Sequence, residues 1–100
     1  MSTLDPDIRE DLKFAIDQLF ETPEQWEAIA KIQLKCLELE PTLDSALALF
    51  WGTTYGQIRN KIWERHGAIT LEQIKEIVEI AMPRWPELKE FYLSRRIFKI

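Results

Sequence analysis

The stretch PEQWEAIAKIQLKCLEL, residues 23–39, decides the fold that this sequence predicts. Pro23 suits the first turn of a helix, where its missing N–H costs nothing. At 100° per residue, the apolar side chains of the stretch cover much more than half of its circumference and leave a narrow polar strip. A helix that is apolar around most of its girth needs neighbours on several sides. We therefore expect residues 23–39 to form the central helix of an all-α protein, with Cys36 buried in it.

Helix-start signals recur on both sides of that stretch. Threonine is followed three residues later by glutamine at positions 22, 54 and 70, which is the spacing of a capping box. Gly52 and Gly67 are typical of helix ends. The other expected helices are Pro6 to about Glu21, Leu43 to Trp51, Tyr55 to His66, Thr70 to Pro83, and Pro86 to near the C-terminus. The sequence thus predicts one all-helical domain over residues 1–100, a compact bundle of five to six short helices.

Helical periodicity also predicts which side chains face inward. In the first helix Ile8, Leu12 and Ile16 share one face, and Phe14 falls off it, so that Phe14 is either covered by another segment or exposed. In the helix after Thr70, the expected buried stripe is Leu71, Ile74, Ile77, Val78 and Ala81.

Composition places the chain among ordinary folded proteins, with 46% hydrophobic and 30% charged residues. Its single cysteine cannot form an intramolecular disulfide, which fits the reducing cytoplasm. No apolar run approaches the roughly 20 residues that span a bilayer. We expect a cytoplasmic protein without a membrane span.

Charge is unevenly distributed along the chain, whose net charge is −4. Residues 1–50 carry 11 acidic and 4 basic side chains, whereas residues 51–100 carry 6 acidic and 9 basic ones. Either the two halves complement each other within the fold, or the basic half meets an acidic partner.

The sequence offers little for catalysis. His66 is the only histidine and stands in the last turn of a predicted helix, where the helix dipole favours its charged form. One histidine and one cysteine, far apart, cannot supply the usual zinc ligands. No glycine-rich phosphate loop or nucleophile motif is present. We expect no catalytic residue, no metal and no cofactor, and a protein that is not an enzyme.

The C-terminal helix carries two apolar stripes on nearly opposite sides. The first consists of Leu88, Phe91, Tyr92 and Phe98, and the second of Leu93, Ile97 and Ile100. Either the last turn leaves the helix and folds back, or the second stripe meets another chain. The leading hypothesis is a protein-interaction module that binds a protein partner or itself, as a homodimer, through Leu93, Arg96, Ile97 and Ile100.

An alternative hypothesis places DNA on the helix at about residues 54–66. Ala48, Gly52 and Ile58 have spacings that resemble a helix-turn-helix, with the turn at the glycine. The candidate contacts to bases and phosphates are Thr54, Gln57, Asn60, Lys61 and Arg65. Glu64 on the same face and the acidic net charge oppose nucleic-acid binding, so that this remains the second choice.

Overall fold

Threonine and proline open the helices, each in its own way. Thr70 forms a complete capping box, since its backbone N–H donates to Gln73 Oε1 at 2.8 Å and the N–H of Gln73 donates to its hydroxyl at 3.1 Å. Thr42 accepts the N–H of Ser45 at 3.0 Å. The other two predicted capping boxes are wrong: Thr22 makes no side-chain cap, and Thr54 lies buried inside a helix.

A computed structural model describes residues 3–98. Within that range the chain forms five α-helices and no strand, which confirms the predicted all-α class. They are α1 Pro6–Glu21, α2 Pro23–Cys36, α3 Leu43–His66, α4 Leu71–Ala81 and α5 Arg84–Ser94. The radius of gyration is 14.4 Å, close to the roughly 13 Å of a compact chain of this length. The expected number of five to six is slightly off. The two helices predicted at 43–51 and 55–66 are one, and α4 runs almost directly into α5, so that the five helical pieces make four helices.

Helix α3 contradicts the predicted break at Gly52. It continues for 24 residues through Gly52 and Gly56, neither of which has a positive φ. Glycine weakens a helix by about 1 kcal/mol relative to alanine but leaves its hydrogen bonds intact. Phe50, Ile58 and Ile62 hold one buried face across the glycines, and that burial outweighs the weak local preference. The helix-turn-helix corner is therefore absent, and α3 ends at Gly67, whose φ of 73° is the expected left-handed cap.

The central helix is α1 rather than α2. Helix α1 packs against all four other helices and buries Ile8, Leu12, Ile16 and Leu19. Helix α2 ends at Cys36, which is exposed, and it buries only Pro23, Ala30 and Leu34. The predicted centre is wrong because an apolar circumference does not reveal which side the chain itself covers. Ile32 is 66% exposed and Leu37 59%.

The core runs along α1 and α3, which contribute to both of its halves. One half gathers around Leu19, Phe50 and Tyr92, and the other around Ile8, Ile58 and Ile77. The Tyr92 hydroxyl donates to the Leu19 carbonyl at 2.7 Å, which satisfies the most deeply buried phenol of the fold. Burial raises the pKa of Tyr92.

The C-terminus folds back onto the core. Helix α5 ends in a Schellman motif, in which Arg96 takes the left-handed position (φ 56°) and the Ile97 N–H donates to the Tyr92 carbonyl at 3.0 Å. Ile97 and Phe98 are both buried. The Phe98 ring stacks on the Tyr92 ring, and the backbone N–H of Phe98 donates to the Glu27 carboxylate at 2.8 Å. Of the two explanations for the second apolar stripe, the fold-back is the correct one for Ile97.

Ion pairs explain the uneven charge. Five acidic residues of the first half pair with basic residues of the second half. The pairs are Arg65 with Asp5 and Asp7, His66 with Asp5, Lys61 with Asp11, Arg84 with Asp17 and Lys89 with Asp44. The halves therefore complement each other within the fold. Among the described helices, none is both long and apolar enough to cross a membrane.

Candidate functional site

A hollow opens between α1, α2 and α3. It has a volume of about 390 Å³ and carries both apolar and polar side chains. Its apolar lining is Phe14, Ala15, Leu19, Trp26 and Phe50, and its polar lining includes Gln18, Thr53, Thr54 and Gln57. A hollow of this size and mixed lining lies at the small end of ligand and peptide sites.

A second hollow lies between α2 and α3, beside the first. It is lined by Gln33, Cys36, Leu37, Leu49 and Thr53, so that Thr53 is a wall of both. We call the two hollows together the interhelical groove. Leu37 and Phe14 stand exposed at its rims, while Trp26 and Leu49 lie half-buried along it. The groove thus joins apolar surface that three helices leave uncovered.

Hydrogen bonds and a ring contact hold the walls of the groove in place. Trp26 is held by a hydrogen bond from its indole N–H to the Gln18 carbonyl at 3.2 Å, and its ring meets Phe50 edge-on at 5.8 Å. The Thr53 hydroxyl donates to the Leu49 carbonyl at 3.0 Å, which turns its methyl-bearing side chain along α3. These contacts tie side chains of α1, α2 and α3 together, so that the hollow is built into the packing.

The electrostatics of the groove are close to neutral. Asp11 and Lys61 stand at one end and pair at 2.6 Å. The other polar groups that line the hollows are amides and hydroxyls, apart from the thiol of Cys36. Among the described lining residues Asp11 is the one carboxylate, so that no pair of acids converges there for acid–base catalysis.

A denser charge cluster lies beyond that end, where the start of α1 meets the end of α3. The Arg65 guanidinium clamps the Asp7 carboxylate with both of its terminal nitrogens and also reaches Asp5 at 3.2 Å. These hydrogen bonds lower the pKa of Asp7 from 3.8 to about 2 and raise that of Arg65. His66 and then Arg65 lower the pKa of Asp5. The cluster fastens two helix ends together and lies on the surface. Within the described part of the chain, no group of three or more histidine, cysteine or acidic residues is arranged to hold a metal ion.

The predicted C-terminal interface is not assembled in the structure. Leu93 and Arg96 are exposed, whereas Ile97 belongs to the core. Ile100 lies outside the described residues. Placing Ile97 in an interface was wrong, because the chain turns at Arg96 before the second stripe is complete.

The five residues predicted to contact DNA are separated by their surroundings. Thr54 is buried, and Lys61 and Arg65 are engaged in the ion pairs with α1. Gln57 and Asn60 are exposed and, three residues apart, are neighbours on α3; Gln57 lines the groove and Asn60 a smaller hollow beside Trp63. The predicted set is therefore incomplete at the surface, because Thr54 is buried and both cations are paired with carboxylates of α1.

The sequence did not predict the groove, although it singled out one of its lining residues. Phe14 was predicted to lie off the inward face of α1, either covered by another segment or exposed, and the structure shows it exposed. Searches for similar proteins find no matching family model, no matching curated protein and no matching solved structure. The functional assignment consequently depends on the geometry of the chain itself.

Proposed function

We propose that this chain is a non-enzymatic protein-interaction module whose interhelical groove receives an amphipathic helix of a partner protein. The supporting observation is the groove itself, in which two hollows that share Thr53 expose apolar side chains of three helices. Contiguous apolar surface with a polar rim is typical of interaction sites on soluble proteins.

The dimensions of the groove favour a helical occupant. Leu49 and Lys61 mark its two ends on α3, twelve residues apart, which corresponds to about 18 Å along a helix. A partner helix of three to four turns has that length. Its walls are helices, and residues 3–98 contain no strand edge that could pair with an extended peptide.

The lining favours an uncharged contact face on the partner. Asp11 and Lys61 neutralise each other, so that a charged side chain entering the hollow would lose water without gaining an opposite charge. One large apolar side chain fits the deeper hollow beside Trp26 and Phe50, and smaller ones fit beside Leu37 and Leu49. We infer apolar residues on the partner helix at spacings of three, four and seven.

The exposed thiol of Cys36 supports a cytoplasmic location. It is unpaired and lines the second hollow, where oxidation would place a polar group or a covalent adduct among apolar contacts. A reducing compartment keeps such a thiol, and with it the groove, unmodified.

A displayed library of randomised amphipathic helices tests the proposal on the full chain. We expect enrichment of peptides with large apolar residues at helical spacing. Phe14→Glu and Thr53→Arg should each weaken the binding of an enriched peptide at least tenfold. Two matched substitutions outside the groove, Leu93→Glu and Asn60→Arg, should leave it unchanged. The proposal would be refuted if the enriched peptides bound both groove variants as tightly as the wild type, or if selection enriched no helical pattern.

A further inference from the structure

The segment that follows α5 is held against the core in a strained conformation. We call residues 95–98 the strap. Arg96 and Phe98 have φ angles of 56° and 59°, in the left-handed region. That region is disfavoured for residues with a Cβ, and most of all for a side chain as bulky as phenylalanine. Because Ile97 and Phe98 are nevertheless both buried, contacts with the rest of the fold must hold the strap in this conformation.

Two hydrogen bonds seat the end of the strap. The Ile97 N–H donates to the Tyr92 carbonyl at 3.0 Å, and the Phe98 N–H donates to the Glu27 carboxylate at 2.8 Å. The Glu27 carboxylate also pairs with Lys31 at 3.4 Å on the outside of α2. These bonds and the burial of two apolar side chains oppose the strain of two left-handed residues. The strap therefore has a seated and a released state, whose balance a single substitution can shift.

A series of ring contacts leads from the strap to the groove. Phe98 stacks on Tyr92, and Tyr92 meets Phe50 edge-on, with ring centroids 6.2 Å apart in both pairs. Phe50 in turn meets Trp26 edge-on at 5.8 Å. Phe50 and Trp26 line the hollow between α1, α2 and α3, and so does Leu19, whose carbonyl accepts the Tyr92 hydroxyl. Tyr92 thus contacts the strap on one side and the lining of this hollow on the other.

We propose that the strap regulates the groove. When the strap is seated, Phe98 fixes the Tyr92 ring and, through Phe50, the position of Trp26 in the wall of the hollow. When the strap is released, the space that Phe98 filled becomes free for Tyr92, and the close-packed rings behind it shift as well. A seated strap therefore keeps the groove pre-organised for a partner helix, and a bound helix favours the seated strap by the same factor. This regulatory role rests on the proposed function of the groove, whereas the coupling between strap and hollow does not.

Two substitutions at the exposed Arg96 separate the states without touching the core or the groove. Arg96→Pro should release the strap, since the proline ring fixes φ near −65° and excludes the observed turn. Arg96→Gly is the matched control, because it removes the same guanidinium and suits a left-handed φ. Phe98→Ala is a second releasing variant, which keeps the backbone turn and removes the ring. Circular dichroism confirms that each variant is folded.

Hydrogen exchange of the full chain without any peptide, followed by nuclear magnetic resonance, tests the coupling. The reporter is the Trp26 indole N–H, which donates to the Gln18 carbonyl. Its exchange should be at least about threefold faster in Arg96→Pro and Phe98→Ala, the range typical of coupled side chains, and unchanged or slower in Arg96→Gly. Ile77→Ala, which opens a cavity in the other half of the core, should leave it unchanged. A Trp26 rate that neither releasing variant alters, or that Ile77→Ala raises equally, would overturn the proposal.

Binding of a peptide selected on the groove tests the regulatory role separately. Arg96→Pro should weaken the binding at least about threefold, and Arg96→Gly should leave it within about twofold of the wild type. A peptide that binds both variants equally would overturn regulation by the strap and leave the proposed function standing. If selection yields no helical peptide, the proposed function fails, and the exchange of Trp26 still decides whether strap and hollow are coupled.

Discussion

Alanine in place of Gly52 should stabilise this protein, because α3 runs uninterrupted through that position. A Cβ built on Gly52 or on Gly56 meets no atom within 4 Å, and neither glycine has a positive φ. The substitution thus adds a methyl group in open space and removes backbone freedom from the unfolded chain.

The expected magnitude follows from the helical environment. Alanine is favoured over glycine in a helix interior by about 0.8–1 kcal/mol. We expect that gain in the free energy of unfolding from Gly52→Ala, and roughly twice that from Gly52→Ala with Gly56→Ala. For a chain of this size, 1 kcal/mol corresponds to about 4–8 °C in melting temperature. The double variant should melt on the order of 10 °C higher.

Urea and thermal unfolding followed by circular dichroism measure the effect. Gly67→Ala is the matched control, since its φ of 73° lies in the left-handed region and alanine there should destabilise the protein by about 1 kcal/mol. The sign of the change in the free energy of unfolding at Gly52 distinguishes a continuous α3 from a broken one. If the chain turned at Gly52, as the sequence predicted, and the glycine were left-handed in that turn, alanine would lower the stability instead. A loss at Gly52 comparable to that at Gly67 would refute a continuous α3.

Three further outcomes test the packing and the charge cluster. Tyr92→Phe should lower the free energy of unfolding by about 1–2 kcal/mol in urea titrations, because it removes a buried hydrogen bond of 2.7 Å to a carbonyl of α1; an unchanged midpoint would contradict that bond. Because the pKa of Asp7 falls from 3.8 to about 2 on folding, the contribution of its pairing with Arg65 to the free energy of unfolding should be complete above about pH 4 and decline as the pH falls towards 2. Arg65→Gln should flatten this decline. Urea midpoints measured at several pH values that run parallel for both proteins would argue against the clamp. Ile97→Glu should destabilise the protein by about 3 kcal/mol or more, whereas Leu93→Glu should change it by less than about 0.5 kcal/mol; equal melting temperatures would show that Ile97 is not in the core.

Local signals were read correctly where a few neighbouring residues determine the outcome. The capping box at Thr70 and the left-handed Gly67 both follow from chemistry within one helical turn. The charge split also found its explanation within the fold, in pairs such as Lys61 with Asp11. The cap and the left-handed glycine need no knowledge of which helices are neighbours, whereas the ion-pair partners depend on the packing of α1 against α3.

The predictions that proved wrong are those whose outcome depends on tertiary packing. An apolar circumference around α2 and an apolar stripe on α4 were both predicted to be buried, yet Ile32, Leu71 and Val78 are on the surface. Gly52 was read as a break because a glycine signal is local, whereas the burial of Phe50 and Ile58 on either side is not. The interhelical groove could not be foreseen, since it depends on the angle at which α1, α2 and α3 meet.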